Sequence, residues 1–180
     1  MLETPFPDYR PHLTLAHQYW KSWLQPHDCV IDATCGNGKD TQFLATLVPE
    51  GRVYAMDIQI EALENAKKYV KATNVVFLLQ SHTHFPLIEP VKLVVYNLGY
   101  LPGGDKSVTT LSETTLVSVA QVVGIAQAVC ITCYPGHAEG RKETEQLFGW
   151  VKRLDAQQWA VSTHQWRPKA PVLLFIRRIQ

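Results

Sequence analysis

The sequence predicts an α/β protein: a seven-stranded, mostly parallel sheet with helices on both faces and a C-terminal antiparallel hairpin. Three observations predict it. Short apolar, β-branched runs alternate with stretches of helical spacing along most of the chain. The last two strand-like runs follow one another with only a Pro-containing loop between them, which turns the final strand back on its neighbour. The chain has 180 residues, 46% of them hydrophobic, which suits one compact domain over residues 1–180 and leaves little for a second.

In chain order, Leu13, Ala16, Trp20, Trp23 and Leu24 follow helical spacing, so residues 1–26 read as an N-terminal segment and a helix packed on the core. Cys29–Ala33 is a short apolar strand. Asp40–Val48 is a helix with Phe43, Leu44 and Leu47 inward. Arg52–Asp57 is the second strand, and Ile60, Leu63, Ala66 and Val70 mark the next helix. Val75–Leu79 and Val91–Tyr96 are strands three and four. A helix from about Thr109 to Ile125 leads to a fifth strand from Ala128 to Tyr134. A helix from Ala138 to Leu154 and strands near Trp159–Trp166 and Val172–Ile179 complete the fold. Trp20, Trp23, Trp150 and Trp159 carry no signature and read as core.

Seventeen Lys+Arg against sixteen Asp+Glu leave a formal charge of +1, which excludes a polycation that coats nucleic acid but not a local basic face. Cys29, Cys35, Cys130 and Cys133 sit in or beside apolar runs, as reduced, buried thiols of a cytoplasmic protein do. The Cys130–Cys133 spacing is that of a redox pair, but in a strand residues i and i+3 point to opposite faces. No metal site is expected. The start, with an early acid and two prolines, is not that of a signal peptide. Thr114 to Ala138 lacks Asp, Glu, Lys and Arg, yet Ser118, Gln121 and Gln127 interrupt it, so it reads as a buried helix and core strand and not as a membrane span.

The segment Val30-Ile-Asp-Ala-Thr-Cys-Gly-Asn-Gly-Lys-Asp-Thr41 lies at a strand-to-helix junction, where free N–H groups and small residues admit a ligand to the backbone. Gly36 and Gly38 place no Cβ in the way, and Asp32 supplies a carboxylate near the strand end. A dinucleotide fingerprint would need glycine where Thr41 stands, and a pyrophosphate beside Asp32 would be repelled. S-adenosylmethionine carries an ammonium and a sulfonium and no phosphate, so the loop favours that cofactor. Asp57, ending the second strand, can accept both ribose hydroxyls, as an acid there also does in nicotinamide enzymes. Asp40 and Thr41 read equally well as helix caps and as cofactor contacts. Ser81 and His82, after the third strand, are candidates for contacts to the adenine.

Asn97-Leu-Gly-Tyr100 ends the fourth strand and resembles the (D/N)PPY signature of amine-directed methyltransferases, with Leu98 and Gly99 in place of both prolines. Asn97 Oδ1 and the Leu98 carbonyl can each accept an N–H of an amine and so aim its lone pair at a methyl group. Tyr100 can stack on a base or cover the site. His82, His137 and Asp105 are the possible proton acceptors.

Taken together, Asp32–Thr41, Asp57-Ile-Gln59, Ser81-His82, Asn97–Lys106 and Tyr134-Pro-Gly-His-Ala-Glu-Gly140 resemble a small bacterial family of Rossmann-like class I methyltransferases, the tRNA 5-(aminomethyl)-2-thiouridine methyltransferases. The resemblance spans roughly residues 10–180. It implies methylation of the aminomethyl nitrogen of the wobble uridine with S-adenosylmethionine as donor. It also implies that Asp32, Asn37, Gly38, Asp40, Thr41, Asp57, Gln59, Ser81, His82 and Asn97 surround the cofactor, with Thr34 and Gly36 in the same loop, and that Asn97 and Tyr100 address the amine.

In such a sheet, ligands meet the carboxyl ends of the parallel strands. The loops on that edge carry Lys39, Lys106, Arg141, Arg167 and Lys169 with Tyr100, Tyr134, His137 and Trp166. Positive charge with aromatic faces suits a single-stranded tRNA anticodon loop. Lys106, Tyr134, His137, Arg141, Arg167 and Lys169 are the candidate substrate contacts. With no room for an RNA-binding domain, recognition falls to short loops, the N-terminal segment or a second subunit, so a homodimer is possible. Two rivals stand: a methyltransferase for a small-molecule or protein amine, and a cofactor-binding RNA module without turnover.

Overall fold

The computed structural model describes residues 10–86, 90–101, 103–104 and 109–179. Five helices are α1 (Pro11–Trp23), α2 (Lys39–Leu47), α3 (Ile60–Tyr69), α4 (Ser112–Ile125) and α5 (Ala138–Val151). The strands are β1 (Cys29–Asp32), β2 (Arg52–Asp57), β3 (Val75–Leu79), β4 (Val91–Asn97), β5 (Ala126–Cys133), β6 (Trp159–Gln165) and β7 (Val172–Arg178). They form one seven-stranded sheet in the order β3-β2-β1-β4-β5-β7-β6. β1 to β5 pair in parallel, and β7 runs antiparallel between β5 and β6, as the terminal hairpin predicted.

The strands are apolar almost throughout because both faces of the sheet are covered. Their side chains divide with a period of two. Val30, Leu93, Val95, Ala128, Cys130, Leu173 and Phe175 face α1 and α2, with Ala16, Trp20 and Leu44. Ile31, Val94, Tyr96, Val129, Ile131, Cys133 and Leu174 face the other layer, where Val119 and Val122 of α4 and Leu147 of α5 close the core. α3 adds Leu63 and Ala66 over Ala55 and Cys35. Trp159 is core, and Trp150 packs against the same layer.

Local differences from the expectation have local causes. On α1 the buried stripe is His12, Ala16, Trp20 and Leu24, so a histidine and not Leu13 takes the first core position. Ile60 is 63% exposed and Ala62 turns inward instead. α4 begins at Ser112 because Thr109 pairs with Tyr100 in an isolated antiparallel bridge that closes the loop after β4. β5 starts at Ala126, directly on the end of α4. Among the described residues, no helix is long and apolar enough to cross a membrane.

Cys130 and Cys133 are both free and both buried, and they lie in opposite core layers as the strand period requires. Burial pushes the Cys130 thiol up to about 12 and raises Cys133 as well. A thiol-reactive dye should therefore leave both unlabelled in the native protein and label both within seconds in denaturant; mass spectrometry of the labelled peptides reads this out, and a Cys130–Cys133 disulfide would contradict it.

Candidate active site

The carboxyl ends of β1, β2 and β4 meet under the loop that joins β1 to α2. This loop is fixed by its own backbone: Ala33 N donates to Val95 O (2.9 Å), Cys35 N to Met56 O (2.8 Å) and Gly38 N to Cys35 O (2.9 Å). Gly38 is the α2 N-cap residue in the left-handed region (φ 80°), and no side chain caps the helix. A Cβ there would lie 2.9 Å from Ala66 Cβ, so Gly38 lets the loop press against α3 and does not face open space. Gly36 (φ 51°) keeps its N–H on Asp57 Oδ2 at 2.8 Å.

Asp40 and Thr41 are not caps. Thr41 Oγ1 donates to Asp32 Oδ2 at 2.6 Å, and Thr34 N donates to Asp32 Oδ1 at 3.3 Å. Both Asp32 and Thr41 are buried, beneath the loop and not on its surface. Burial pushes the Asp32 carboxyl up to about 7, with the negative charges of Asp40 and Asp57 adding to it against the two hydrogen bonds. Asp57 also accepts from Gln59 N at 2.9 Å, which sets the turn into α3. Asn37 accepts from Asn65 Nδ2 at 3.3 Å. Ser81 Oγ accepts from Thr83 N (3.2 Å), shaping the turn after β3. His82 packs edge-on against Tyr96 and carries Ser118 Oγ on its carbonyl at 2.7 Å; burial holds its ring below the ordinary imidazole value.

Asn97 is held at three of its atoms. Its backbone N donates to Thr34 Oγ1 at 2.7 Å. Its Nδ2 donates to Asp40 Oδ2 at 2.7 Å, and its Oδ1 accepts from the Tyr134 hydroxyl at 2.8 Å. An anion on one side and a hydroxyl donor on the other leave the amide a single orientation. Among the described residues Tyr134 is the one donor to Oδ1, whose second lone pair can accept from a further donor. Tyr134 thus belongs to the site itself, and α1 supports both of its flanks. His17 Nε2 meets Asp40 Oδ1 at 2.8 Å with its ring stacked on Phe43 at 4.0 Å, and His12 Nε2 lies 3.4 Å from the Tyr134 hydroxyl. Burial holds His12 below the usual imidazole range, helped by Arg10 and opposed by Asp40.

The two replaced prolines have physical reasons. Leu98 N donates to Thr132 O at 2.9 Å, a bond proline lacks, and Gly99 sits at φ 125°, which proline's ring forbids. The Gly99 turn is tied to Thr110, whose Oγ1 accepts from Gly99 N (2.9 Å) and donates to Glu143 Oε2 (3.0 Å). Glu143, buried on α5, also accepts from Thr115 at 2.6 Å, and burial raises its carboxyl. Tyr100 is 41% exposed, its ring 6.1 Å from that of His137.

His137 is the N-cap of α5: Nδ1 accepts from Gly140 N at 3.1 Å. The neutral ring therefore carries its proton on Nε2 and can take up another only by giving up the cap. Arg141, Arg167 and Lys169 are exposed, while Lys106 and Asp105 lie outside the described residues. Sequence reasoning missed His12, His17, Thr110 and Glu143. It also missed Ile58 and Leu79, 62% and 58% exposed at the ends of adjacent strands, an apolar surface suited to a flat ring. A histidine on the buried stripe of α1 was the available signal for His12.

The model of a family described as "Putative rRNA methylase" matches residues 53–177. The chain belongs to that family. A chloroplastic tRNA (mnm5s2U34)-methyltransferase of Arabidopsis thaliana is 37% identical over 90% of this chain and 67% of the relative. A Clostridium thermocellum crystal structure described as an rRNA-methylase has TM-score 0.90 and 33% identity, covering 95% of this chain and 99% of that one. A Streptococcus mutans methyltransferase solved with SAH has TM-score 0.85 and 30% identity, covering 95% and 99%. The family member in hand is an S-adenosylmethionine-dependent methyltransferase with a Rossmann-like class I fold.

The residues present fit that cofactor. Asp32, Asp40 and Asp57 crowd one loop: burial raises Asp32 first, and the charges of Asp40 and Asp57 add to it. A cationic ligand relieves this repulsion, and an anionic one worsens it. Because the folded-state value of Asp32 lies above the ordinary 3.8, its ionisation costs stability as pH rises from about 4 to about 7. A bound cation offsets that cost. The affinity for S-adenosylmethionine relative to its uncharged-sulfur product should therefore rise severalfold between pH 6 and pH 8 and then level. Calorimetry with both ligands checks this, and Asp32→Asn should flatten the profile.

Proposed function

We propose that this enzyme methylates the exocyclic aminomethyl nitrogen of 5-aminomethyl-(2-thio)uridine at the tRNA wobble position. The observation that carries the reading is the Asn97 amide, locked between Asp40 and Tyr134 with a second Oδ1 lone pair that can accept from a further donor. The activity printed for the Arabidopsis relative supports the same substrate. The whole chain is read as one methyltransferase domain with α1 packed on the core, so that loops, or a second copy of the chain, meet the anticodon loop.

S-adenosylmethionine supplies an electrophilic methyl group. Asp57, Gln59 and the Gly36–Asn37 backbone at the loop surface would hold it, with Asp40 supplying negative charge and Ser81 and His82 bordering the adenine. Asn97 Oδ1 and the Leu98 carbonyl accept the two N–H groups of the neutral amine, which leaves its lone pair facing the methyl group. Asp40, bonded to the far end of the amide, polarises it and strengthens Oδ1 as an acceptor. Tyr100, exposed beside His137, covers the uracil ring.

An alkylammonium must lose a proton before it reacts. His137 is committed to its cap and His82 to the interior. His12, kept neutral by burial, braces the Tyr134 hydroxyl (3.4 Å) that in turn holds Asn97 (2.8 Å), and the ammonium gives its proton to water on entry, where desolvation favours the neutral amine.

The deciding experiment is mass spectrometry of wobble uridine after incubating the protein and S-adenosylmethionine with tRNA that lacks the methyl group. A gain of one methyl on the aminomethyl nitrogen supports the reading; label found only in protein or free amine refutes it. Asn97→Ala should lower turnover at least about hundredfold while product-cofactor binding is largely kept; unchanged turnover would sink the assigned role.

A further inference from the structure

A cleft of about 580 Å³ opens between Pro11, Leu15 and Gln18 of α1 and His164, Gln165 and Trp166 at the end of β6. β6 runs parallel to β1–β5, so this cleft lies on the same edge as Asn97. Three strand spacings, β4 to β5 to β7 to β6, place it about 14 Å away. That is outside the cofactor loop and within reach of a few nucleotides.

The cleft has a built aromatic wall. Tyr19 stacks on Phe175 at 4.6 Å and 5°, and its hydroxyl holds His164 Nε2 at 2.8 Å. His164 in turn lies beside Trp166, with ring centroids 6.3 Å apart. Trp166 is 44% exposed, whereas Trp20 and Trp159 are buried. The turn beyond it is tied down: Gln165 Nε2 donates to Ala170 O at 3.0 Å, Ala170 N donates to Arg167 O at 3.0 Å, and Lys169 takes the left-handed region at φ 64°. Trp166, Arg167 and Lys169 are thereby presented together on a short, closed turn.

The two stretches that line the cleft, residues 10–27 and 156–179, contain none of the chain's 16 Asp+Glu, so each formally charged residue in them is a cation. A net charge of +1 for the whole chain hides this separation. Arg10, Arg167 and Lys169 stand at the cleft end of these stretches, while Arg177 and Arg178 stand at the other end of β7.

We infer that the α1–β6 cleft is a second nucleobase subsite: it takes one unpaired base of the RNA substrate, flanking the methylated nucleotide, against Trp166, with Arg167 and Lys169 on the adjoining phosphates. The inference rests on the RNA reading above. An exposed indole offers a stacking face that any base satisfies, and the exposed Arg167 and Lys169 on the same turn suit a phosphate backbone. A second copy of this chain docking by this same face would bring Arg167 and Lys169 against their own counterparts and be repelled.

The test compares methyl transfer to tRNA by the wild type, Trp166→Ala, Trp166→Phe and the double variant Arg167→Ala/Lys169→Ala. Trp166→Ala should raise KM for tRNA about tenfold while cofactor affinity stays at the wild-type value, and Trp166→Phe should restore most of the KM. The double variant should flatten the slope of log KM against log salt by about 0.7 for each phosphate that is no longer neutralised. Light scattering should give the same mass for Trp166→Ala and wild type. A wild-type KM for Trp166→Ala, or a change of mass with KM for tRNA unaltered, overturns the subsite. If the wild type methylates tRNA and Trp166→Ala is indifferent, only this inference fails; if the wild type transfers no methyl to any tRNA, the functional reading fails and the subsite with it.

Discussion

The orientation of one amide organises the active edge of this protein. Asn97 ends the central strand β4, where its neighbours on both sides belong to different structural units. Asp40 comes from the first turn of α2, Tyr134 follows β5, and Thr34 belongs to the cofactor loop. Each pins a different atom of Asn97. An amide free to turn over would present Nδ2 as often as Oδ1, and a donor there repels the N–H of an amine where an acceptor attracts it. The clamp removes that alternative before substrate arrives, so no reorganisation is needed during reaction.

The same clamp explains why three carboxylates are tolerated close together. Asp57 is compensated by two backbone N–H groups, Asp40 by the Asn97 amide and His17, and Asp32 by Thr41 and Thr34. Hydrogen bonds of this kind stabilise each anion locally, but they do not cancel the burial that chiefly raises Asp32, nor the repulsion from Asp40 and Asp57 that adds to it. The loop is therefore neutral-seeking in hydrogen bonds and cation-seeking in charge. That combination distinguishes a site for a sulfonium donor from a phosphate cradle, which would need its backbone N–H groups free.

Much of this was legible in the chain. Strand positions followed from apolar runs, because a parallel sheet covered on both faces leaves no alternation to misread. The opposite placement of Cys130 and Cys133 followed from strand period alone. Asn97, Asp57 and the glycine loop were visible as motifs because their spacing is local. Glu143 was not, since its role depends on Thr110 and Thr115 arriving from a different element. His12 and His17 were hidden for the same reason: nothing near them in sequence shows that α1 lies across the ends of β4 and β5. Asp40 and Thr41 looked alike as caps, and three-dimensional partners separated them, one turned to Asn97 and one to Asp32 beneath the loop.

α1 is then more than a cover for the core. Its buried stripe seals one face of the sheet through Ala16 and Trp20. His12 and His17 brace Tyr134 and Asp40, and Pro11, Leu15 and Gln18 face the β6 cleft. One helix thus touches both side chains that hold the Asn97 amide and the cleft beside β6. The charge pattern points the same way, with acids gathered around the donor loop and cations alone along α1 and the last two strands. The edge thus carries negative charge at the donor loop and positive charge along the outer strands, and α1 lies between the two.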